Sequence, residues 1–345
     1  MSVGSAEMKR IRAVGLLSGG LDSTLAVKLM LDQGIEVHAV NFTSPLHQRG
    51  EKKPRAEAAA KAFNLPFRSI ELGSEYMRVV RHPKHGYGSG MNPCIDCHAL
   101  MLKKAKQYAH QIGADFIFTG EVLGERPMSQ HQEALKVVEK EARLEGKILR
   151  PLSARLLPET EAERKGWVTR CKLLEIQGRS RKPQIELAKK LGITDYPTPG
   201  GGCLLTEKEF SARIKDLLTH RRRISKMDIL LLRVGRQFRF GENRVIVGRD
   251  EAENKTLLSL DNGHMTYLEA IGINGPVTVL QGRPKKSIVI MAARLTARYC
   301  DGTDRVLVGY RRGKRTGNVR AERMPDAEVQ AHRIAGISGR RTSVN

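Results

Sequence analysis

An α/β architecture, built on a parallel sheet and followed by a smaller α+β domain, is predicted by three observations. Apolar runs of strand length alternate with amphipathic helical stretches through the first two hundred residues. A Ser-Gly-Gly-Leu-Asp-Ser segment, residues 18–23, joins the first such run to the first such helix. After about Thr206 the pattern changes to short strands at close spacing.

The first unit is the most informative. Val14 to Leu17 reads as a buried strand, and from Asp22 onward Leu25, Ala26, Leu29 and Met30 recur at helical spacing. In the turn between them, Gly19 and Gly20 let the backbone come close to a ligand. Ser18 and Ser23 add hydroxyls, and the helix aims its first N–H groups at the same place. Such a turn suits an anion. It is not a Walker A loop, because no Gly-Lys-Ser/Thr follows, and it lacks the G-x-G-x-x-G spacing of a dinucleotide fingerprint.

Val37–Phe42 then reads as strand, 54–63 as an alanine-rich helix, Phe67–Leu72 as strand, 97–113 as helix and Phe116–Thr119 as strand. In a sheet of that order ligands bind beyond the C-terminal strand ends, where Ser18, the segment after Phe42, Thr119 and Gly120 all fall. The glycine-rich loop from Arg81 to Met91 delivers Asn92-Pro-Cys-Ile-Asp-Cys97 to a helix start, a position that favours a thiolate. Pro183–Leu191 reads as helix, and Tyr196–Cys203, with three consecutive glycines, cannot be regular structure.

From Thr206 a helix carries Arg213, Lys215, His220 and Arg221, Arg222 and Arg223. Ile229–Val234, Val245–Val247, Met265–Ile271 and Val277–Leu280 read as strands, with a helix near 250–258. Arg311, Arg312, Lys314 and Arg315 open a basic stretch without clear periodicity, expected to be disordered until it meets RNA. The expected domains are 1–205, 206–312 and a tail over 313–345.

Composition bounds the partners. The 345 residues hold 60 Lys and Arg against 37 Asp and Glu, a formal charge of +23 with a pI near 10.1. That balance points to a polyanion, most often nucleic acid, and away from an ordinary small-molecule enzyme. Five cysteines, an odd number, argue against a secreted disulfide framework. No stretch reads as a signal peptide or membrane span, so the expected location is cytoplasmic, without a membrane partner.

The Ser18–Ser23 segment resembles the signature of the PP-loop ATP pyrophosphatases, a Rossmann-like, HUP-type fold. The resemblance implies ATP and magnesium as ligands. Asp22 would help hold magnesium and pyrophosphate, while Ser18, Gly19, Gly20 and Ser23 cradle the phosphates. Thr119-Gly-Glu-Val-Leu-Gly-Glu-Arg-Pro-Met-Ser-Gln130 resembles the TGESLGQ segment of the 4-thiouridine synthases, and Arg150-Pro-Leu152 their RPL segment. Similarity to that family implies that Thr119 and Gly120 face the nucleotide. Neither the THUMP nor the rhodanese domain of its longer members is expected in this chain, so RNA binding is expected of the basic C-terminal part. That part resembles, loosely, the small domain of NFACT proteins through Val245–Asp250, Glu253-Asn254 and Gly275-Pro276.

Cys94, Cys97 and Cys203 are the candidate sulfur site. Three thiolates cannot fill a four-cysteine zinc site but can hold a [4Fe-4S] cluster with one iron open. A persulfide relay between two cysteines, or zinc with Asp96 or His98 as fourth ligand, are the competing readings. Arg221, Arg222, Arg223, Arg311 and Arg312 are the candidate RNA contacts. The expected function is ATP-dependent 4-thiouridine synthesis in tRNA, at position 8. The carbonyl is adenylated, and sulfur comes from inorganic sulfide or a sulfur carrier. Cys94, Cys97 and Cys203 join Asp22 as the catalytic candidates. Synthesis of 2-thiouridine, an amidating synthetase acting on a small molecule, and a non-catalytic RNA-binding role are the alternatives, and a homodimer is an open arrangement.

Overall fold

The computed structural model describes residues 10–46, 52–196, 203–302 and 304–335. The chain divides into two compact units, Met1–Leu204 and Leu205–Asn345.

In the first unit, the described residues alternate strand and helix. They run β1 (Arg12–Leu16), α1 (Leu21–Leu31), β2 (Glu36–Thr43), α2 (Lys52–Ala62), β3 (Phe67–Glu71), α3 (Ser74–Arg81) and α4 (Cys94–Gln111). After these come β4 (Phe116–Thr119), α5 (Gln132–Ala142), β5 (Ile148–Leu149), α6 (Glu161–Arg164) and α7 (Lys182–Lys190). The strands form one sheet in the order β3-β2-β1-β4-β5, and every pairing is parallel. A parallel sheet covered on both faces asks for continuous apolar strands, and Phe116-Ile-Phe-Thr119 is buried at all four positions. Gly15 is needed because a Cβ there would lie 2.4 Å from the Phe118 ring. At the N-terminal edge Arg12 pins three elements: its backbone N–H donates to Asp115, and its guanidinium donates to Glu36 and to the Ile112 carbonyl.

Chain order reverses at β1. The strands β2 and β3 lie to one side of it, β4 and β5 to the other. The loops after β1 and β4 therefore diverge and leave a crevice at the C-terminal edge, the general ligand position of doubly wound sheets.

The second unit opens with α8 (Lys208–His220) and α9 (Lys226–Leu231). Then come β6 (Arg236–Phe240), β7 (Asn243–Val247), α10 (Glu251–Ser259), β8 (Thr266–Ala270), β9 (Thr278–Gln281), α11 (Lys286–Arg298), β10 (Arg305–Arg312), β11 (Arg315–Glu322) and α12 (Asp326–His332). Its sheet has the order β11-β10-β8-β9-β7-β6 and is antiparallel throughout. One cluster joins Leu268, Leu280 and Val308 to α11, and a second joins Ile246, Tyr267 and Val279 to Leu231 and Leu257. Helices thus cover both sheet faces.

Two expectations need correction here. Ile229–Val234 is not a strand; its first half lies in α9 and the rest in the turn that follows. The reason is local. Ser225 and Asp228 form a capping box, the Ser225 Oγ accepting from the Asp228 N–H while the Asp228 carboxylate accepts from the Ser225 N–H at 2.9 Å. The stretch from residue 313 to 335 is not a disordered tail. Arg315–Glu322 pairs with all of β10, and α12 is tied to α11 by Arg294, whose two Nη atoms donate to the Glu328 carboxylate at 2.9 and 2.8 Å. The chain then returns to the opposite edge of the sheet, where Phe238 bridges Arg333 and the Ile334 N–H donates to the Gln237 carbonyl at 2.8 Å. Residues 336–345 lie outside the described residues.

Candidate functional site

The crevice after β1 and β4 is built from backbone as much as from side chains. Gly19 has φ +75°, and a Cβ on it would lie 2.6 Å from the Arg55 carbonyl carbon in α2. A Cβ on Gly120 would lie 2.5 Å from the Ser23 N and 2.7 Å from the Asp22 carbonyl carbon. Only glycine lets the loop after β4 touch the first turn of α1. The hydroxyls of Ser18 and Ser23 lie 3.1 Å apart, Ser23 also donates to the Gly20 carbonyl, and the Ser18 N–H donates to the Ser23 Oγ. Gly20 caps α1 without a side-chain bond, so the helix start has no side chain of its own covering it. Ser18, Gly19, Gly20, Asp22, Ser23, Thr119 and Gly120 are thus brought together at one strand-end crevice.

Asp22 carries the charge of this site. Burial raises its carboxyl above the ordinary aspartate range, against the opposing pull of Arg181 and Arg126. Its Oδ2 lies 3.8 Å from Arg181 Nη2, while its Oδ1 is buried without a hydrogen-bond partner. Arg181 Nε is likewise buried and unpartnered. Glu125 stands close enough that burial, and then the Asp22 charge, raise its carboxyl too. These groups form a buried polar cluster in which two polar atoms, Asp22 Oδ1 and Arg181 Nε, have hydrogen-bonding capacity left over. Magnesium fits at Asp22 by oxygen chemistry.

Arg181 was not among the expected site residues, nor was Glu125. The route that brings Arg181 in is a stitched loop: Leu123 bridges Gln177, the Gly178 N–H donates to the Leu123 carbonyl at 2.7 Å, and Ser153 Oγ joins the Leu123 N–H to the Ile176 carbonyl. Nothing in the spacing of residues 176–181 announces this. Glu125 falls within the segment that resembles TGESLGQ, but its type alone gives no role.

A second set of residues ties the cysteine-bearing helix to the same edge. Cys94 is the first residue of α4 and Cys97 lies in its first turn. His98, the next residue, lies 2.8 Å through Nδ1 from Glu121 Oε1, and Glu121 Oε2 accepts from Thr119 Oγ1 and from Arg150 Nε, both at 3.0 Å. Arg150 reaches on to Glu139. Burial alone would push the Glu121 carboxyl up, but the Arg150 guanidinium, helped by His98 and Thr119, holds it down at about 2. Asp96, a suggested zinc ligand, instead accepts from the N–H groups of Lys84 and His85, closing the preceding loop onto α4. Asn92 Nδ2 lies 3.2 Å from the Cys94 sulfur.

All three candidate cysteines are of intermediate exposure. They act on one group. The buried Tyr76 hydroxyl is pushed well above its ordinary value by burial and then by Cys97, Cys203 and Cys94. Thiolate is the donor type that iron–sulfur ligation uses. Among the described residues no three His, Cys, Asp or Glu side chains are grouped to hold a single metal ion. Residues 197–202, the glycine run before Cys203, lie outside the described residues. Among the described residues no helix is long and apolar enough to cross a membrane.

The expected RNA contacts all lie in the second unit, on different elements. Arg221 caps the C-terminus of α8, and Arg222 and Arg223 follow it, all exposed. Arg311 and Arg312 belong to β10 and not to a tail. Arg311 pairs with Asp261 and lies 4.7 Å above the Tyr267 ring, so it has a structural role in this unit.

Comparison with known proteins divides the chain in the same way. A tRNA-specific 2-thiouridylase MnmA of Syntrophotalea carbinolica is 32% identical over 114 residues, covering 30% of this chain and 32% of that protein. A probable tRNA sulfurtransferase of Caldanaerobacter subterraneus subsp. tengcongensis is 30% identical over 141 residues, covering 41% of this chain and 36% of that protein. The chain thus spans about a third of the length of these relatives. Among solved structures, a 4-thiouridine synthetase–RNA complex with bound ATP is 22% identical, covers 53% of this chain and 41% of its own, and gives a TM-score of 0.38. Residues 9–155 match the family described as Thiamine biosynthesis protein (ThiI), and residues 235–333 match the NFACT protein RNA binding domain, the two joined here in one chain.

Proposed function

We propose that this chain thiolates a uridine of tRNA at the expense of ATP, with 4-thiouridine at position 8 as the product. One observation carries the reading: the glycine-lined crevice at α1, with its unspent polar atoms, shares the C-terminal sheet edge with the start of the cysteine helix, and His98 and Glu121 tie the two together. The match of residues 235–333 to an RNA-binding domain supports RNA as the partner.

The residues divide the work as follows. The N–H groups at the start of α1 and the Ser18 and Ser23 hydroxyls bind the phosphates. Asp22 holds magnesium against them, and Arg181 faces the charge that develops as pyrophosphate leaves. The uridine O4 attacks the α-phosphorus, the bond to the β-phosphate oxygen breaks, and the N3 proton is released. Hydrosulfide then attacks C4, and the C4–O bond breaks to release AMP; if a carrier persulfide attacks instead, a second cysteine thiol cleaves its S–S bond and forms a disulfide with the carrier. A [4Fe-4S] cluster held by Cys94, Cys97 and Cys203 would supply a Lewis-acidic iron next to the activated carbon. Glu121, through His98, fixes the helix that carries Cys94 and Cys97 relative to Thr119.

The test is anaerobic. Wild type and the Cys94→Ala, Cys97→Ala and Cys203→Ala variants are purified, iron and acid-labile sulfide are measured, and tRNA is digested to nucleosides after reaction with ATP and sulfide. Four irons per chain, lost together with thiouridine in each variant, support the cluster route. Iron-free protein that still thiolates tRNA from sulfide overturns the cluster route, because sulfide then attacks the activated carbon without iron. ATP turnover that ignores tRNA overturns the reading in favour of a small-molecule synthetase. The nucleoside digest also decides a second reading, 2-thiouridine, which the similarity to 2-thiouridylases favours.

A further inference from the structure

On α4, Lys103, Lys106, Gln107 and His110 recur at i, i+3, i+4 and i+7 and so form one stripe, all exposed. The opposite face, Leu102, Ala105 and Ala109, is buried against the unit. On α5, Lys136 and Lys140 recur at i and i+4, and Arg143 follows the helix as its C-cap, again all exposed, with Leu135, Val138 and Ala142 turned inward. The two helices pack side by side, and between the stripes lies a depression of about 460 Å³ lined by Lys103, Lys106, Lys140 and Arg143.

Four cations at one depression repel one another unless something neutralises them. Among the described residues, no carboxylate pairs with Lys103, Lys140 or Arg143, and Lys106 Nζ donates to the Arg143 carbonyl at 2.9 Å. The one acid on the rim, Glu141, is already engaged by Lys84 at 2.6 Å and by His85 at 3.3 Å. Lys140, in the last turn of α5, complements that helix dipole on its own account. Lys103 and Lys106 sit in mid-helix and gain nothing from a dipole.

The position along α4 matters. Its N-terminus is the cysteine end at the sheet edge, and at 1.5 Å per residue Lys103 and Lys106 lie about 9 and 14 Å from Cys97 along the axis. We infer that this groove binds the phosphate backbone of the RNA substrate, holding the strand in the catalytic unit while a target base reaches the sheet edge. The inference rests on the reading of the chain as a tRNA-acting enzyme, but it places a binding surface in the first unit, independent of the RNA-binding domain of the second. Sequence-tolerant phosphate contact by lysine and arginine is the recognition expected, with no base readout.

The experiment uses the full chain and a labelled, unmodified tRNA transcript. Affinity is measured between 50 and 200 mM salt for wild type, for the quadruple variant Lys103→Ala, Lys106→Ala, Lys140→Ala, Arg143→Ala, and for a control, Arg155→Ala with Lys165→Ala. Those two control cations are paired with Glu175 and Glu161. Each lost phosphate contact lowers the log–log salt slope by about 0.7 to 0.9, so the quadruple variant should lose about 3 in slope, and the control close to nothing. ATP affinity serves as the folding check and should match wild type in both. A quadruple variant with the wild-type slope, or one that changes only as much as the control, overturns the groove while leaving tRNA binding by wild type intact. Wild type that fails to bind tRNA at all overturns both the groove and the functional reading.

Discussion

Arg150 and Glu121 form a buried ion pair, Nε to Oε2 at 3.0 Å, with side chains 3% and 11% exposed. The pair sits between β4 and β5 and connects, through His98, to the helix that begins at Cys94. Removing one member strands the other charge. Glu121→Gln should cost about 3 to 5 kcal/mol in urea unfolding at pH 7. The pH dependence has a defined sign. Folding holds the Glu121 carboxyl at about 2, below its unfolded value, so its contribution is present above about pH 4.5 and is lost as pH falls toward 2. Wild type should lose on the order of 3 kcal/mol across that window through this group, and Glu121→Gln should lack that component.

Asp22 behaves in the opposite way. Its folded carboxyl is raised by burial, so the ionised form is disfavoured by folding and stability declines as pH rises through the shifted range. Asp22→Asn should therefore retain or raise the wild-type Tm at neutral pH while abolishing pyrophosphate release with ATP and tRNA. A variant that loses Tm and activity together would make Asp22 a structural residue.

Gly120→Ala tests the backbone contact between the loop after β4 and α1. A Cβ 2.5 Å from the Ser23 N forces the first turn of α1 to move. The expected result is a loss of about 1 to 3 kcal/mol in stability with a larger loss of ATP affinity, measured by calorimetry. Wild-type ATP affinity would show that the first turn of α1 does not bind the nucleotide.

The arginines of the second unit should separate. Arg311→Ala removes an ion pair and a ring contact and should lower Tm. Arg221→Ala, Arg222→Ala and Arg223→Ala together should leave Tm near wild type and reduce the salt slope of tRNA binding by about 2. An unchanged slope excludes that cluster from the RNA interface.

The first unit was legible where local chemistry and fold agree. Val14–Leu17, Ser18–Ser23 and Phe116–Thr119 each carry period, turn residues and burial in one short window, and the crevice follows from strand order. What stayed hidden depends on distant pairing. Arg181 enters the site only because residues 176–178 are stitched to Leu123, and Glu121 matters only because Arg150, twenty-nine residues on, is buried beside it. In the second unit Arg315–Glu322 conceals its strand period, because exposed Arg and Thr alternate with small residues and the apolar face shows only at Val319 and Ala321. Ile229–Val234 offers an apolar run of strand length, and only the Ser225 and Asp228 box in front of it turns the chain into a helix.

The return of the chain to β6 has a consequence for behaviour in concentrated solution. An open strand edge is a template on which another molecule can grow a sheet. Here one outer strand, β11, carries Arg315, Arg320 and Glu322 outward, so approaching copies meet charge. The other, β6, is occupied in part by Arg333 and Ile334 of the same molecule. Cutting the chain just before Arg333 would uncover that edge next to Phe238, exchanging an intramolecular bridge for a seed of intermolecular polymerisation.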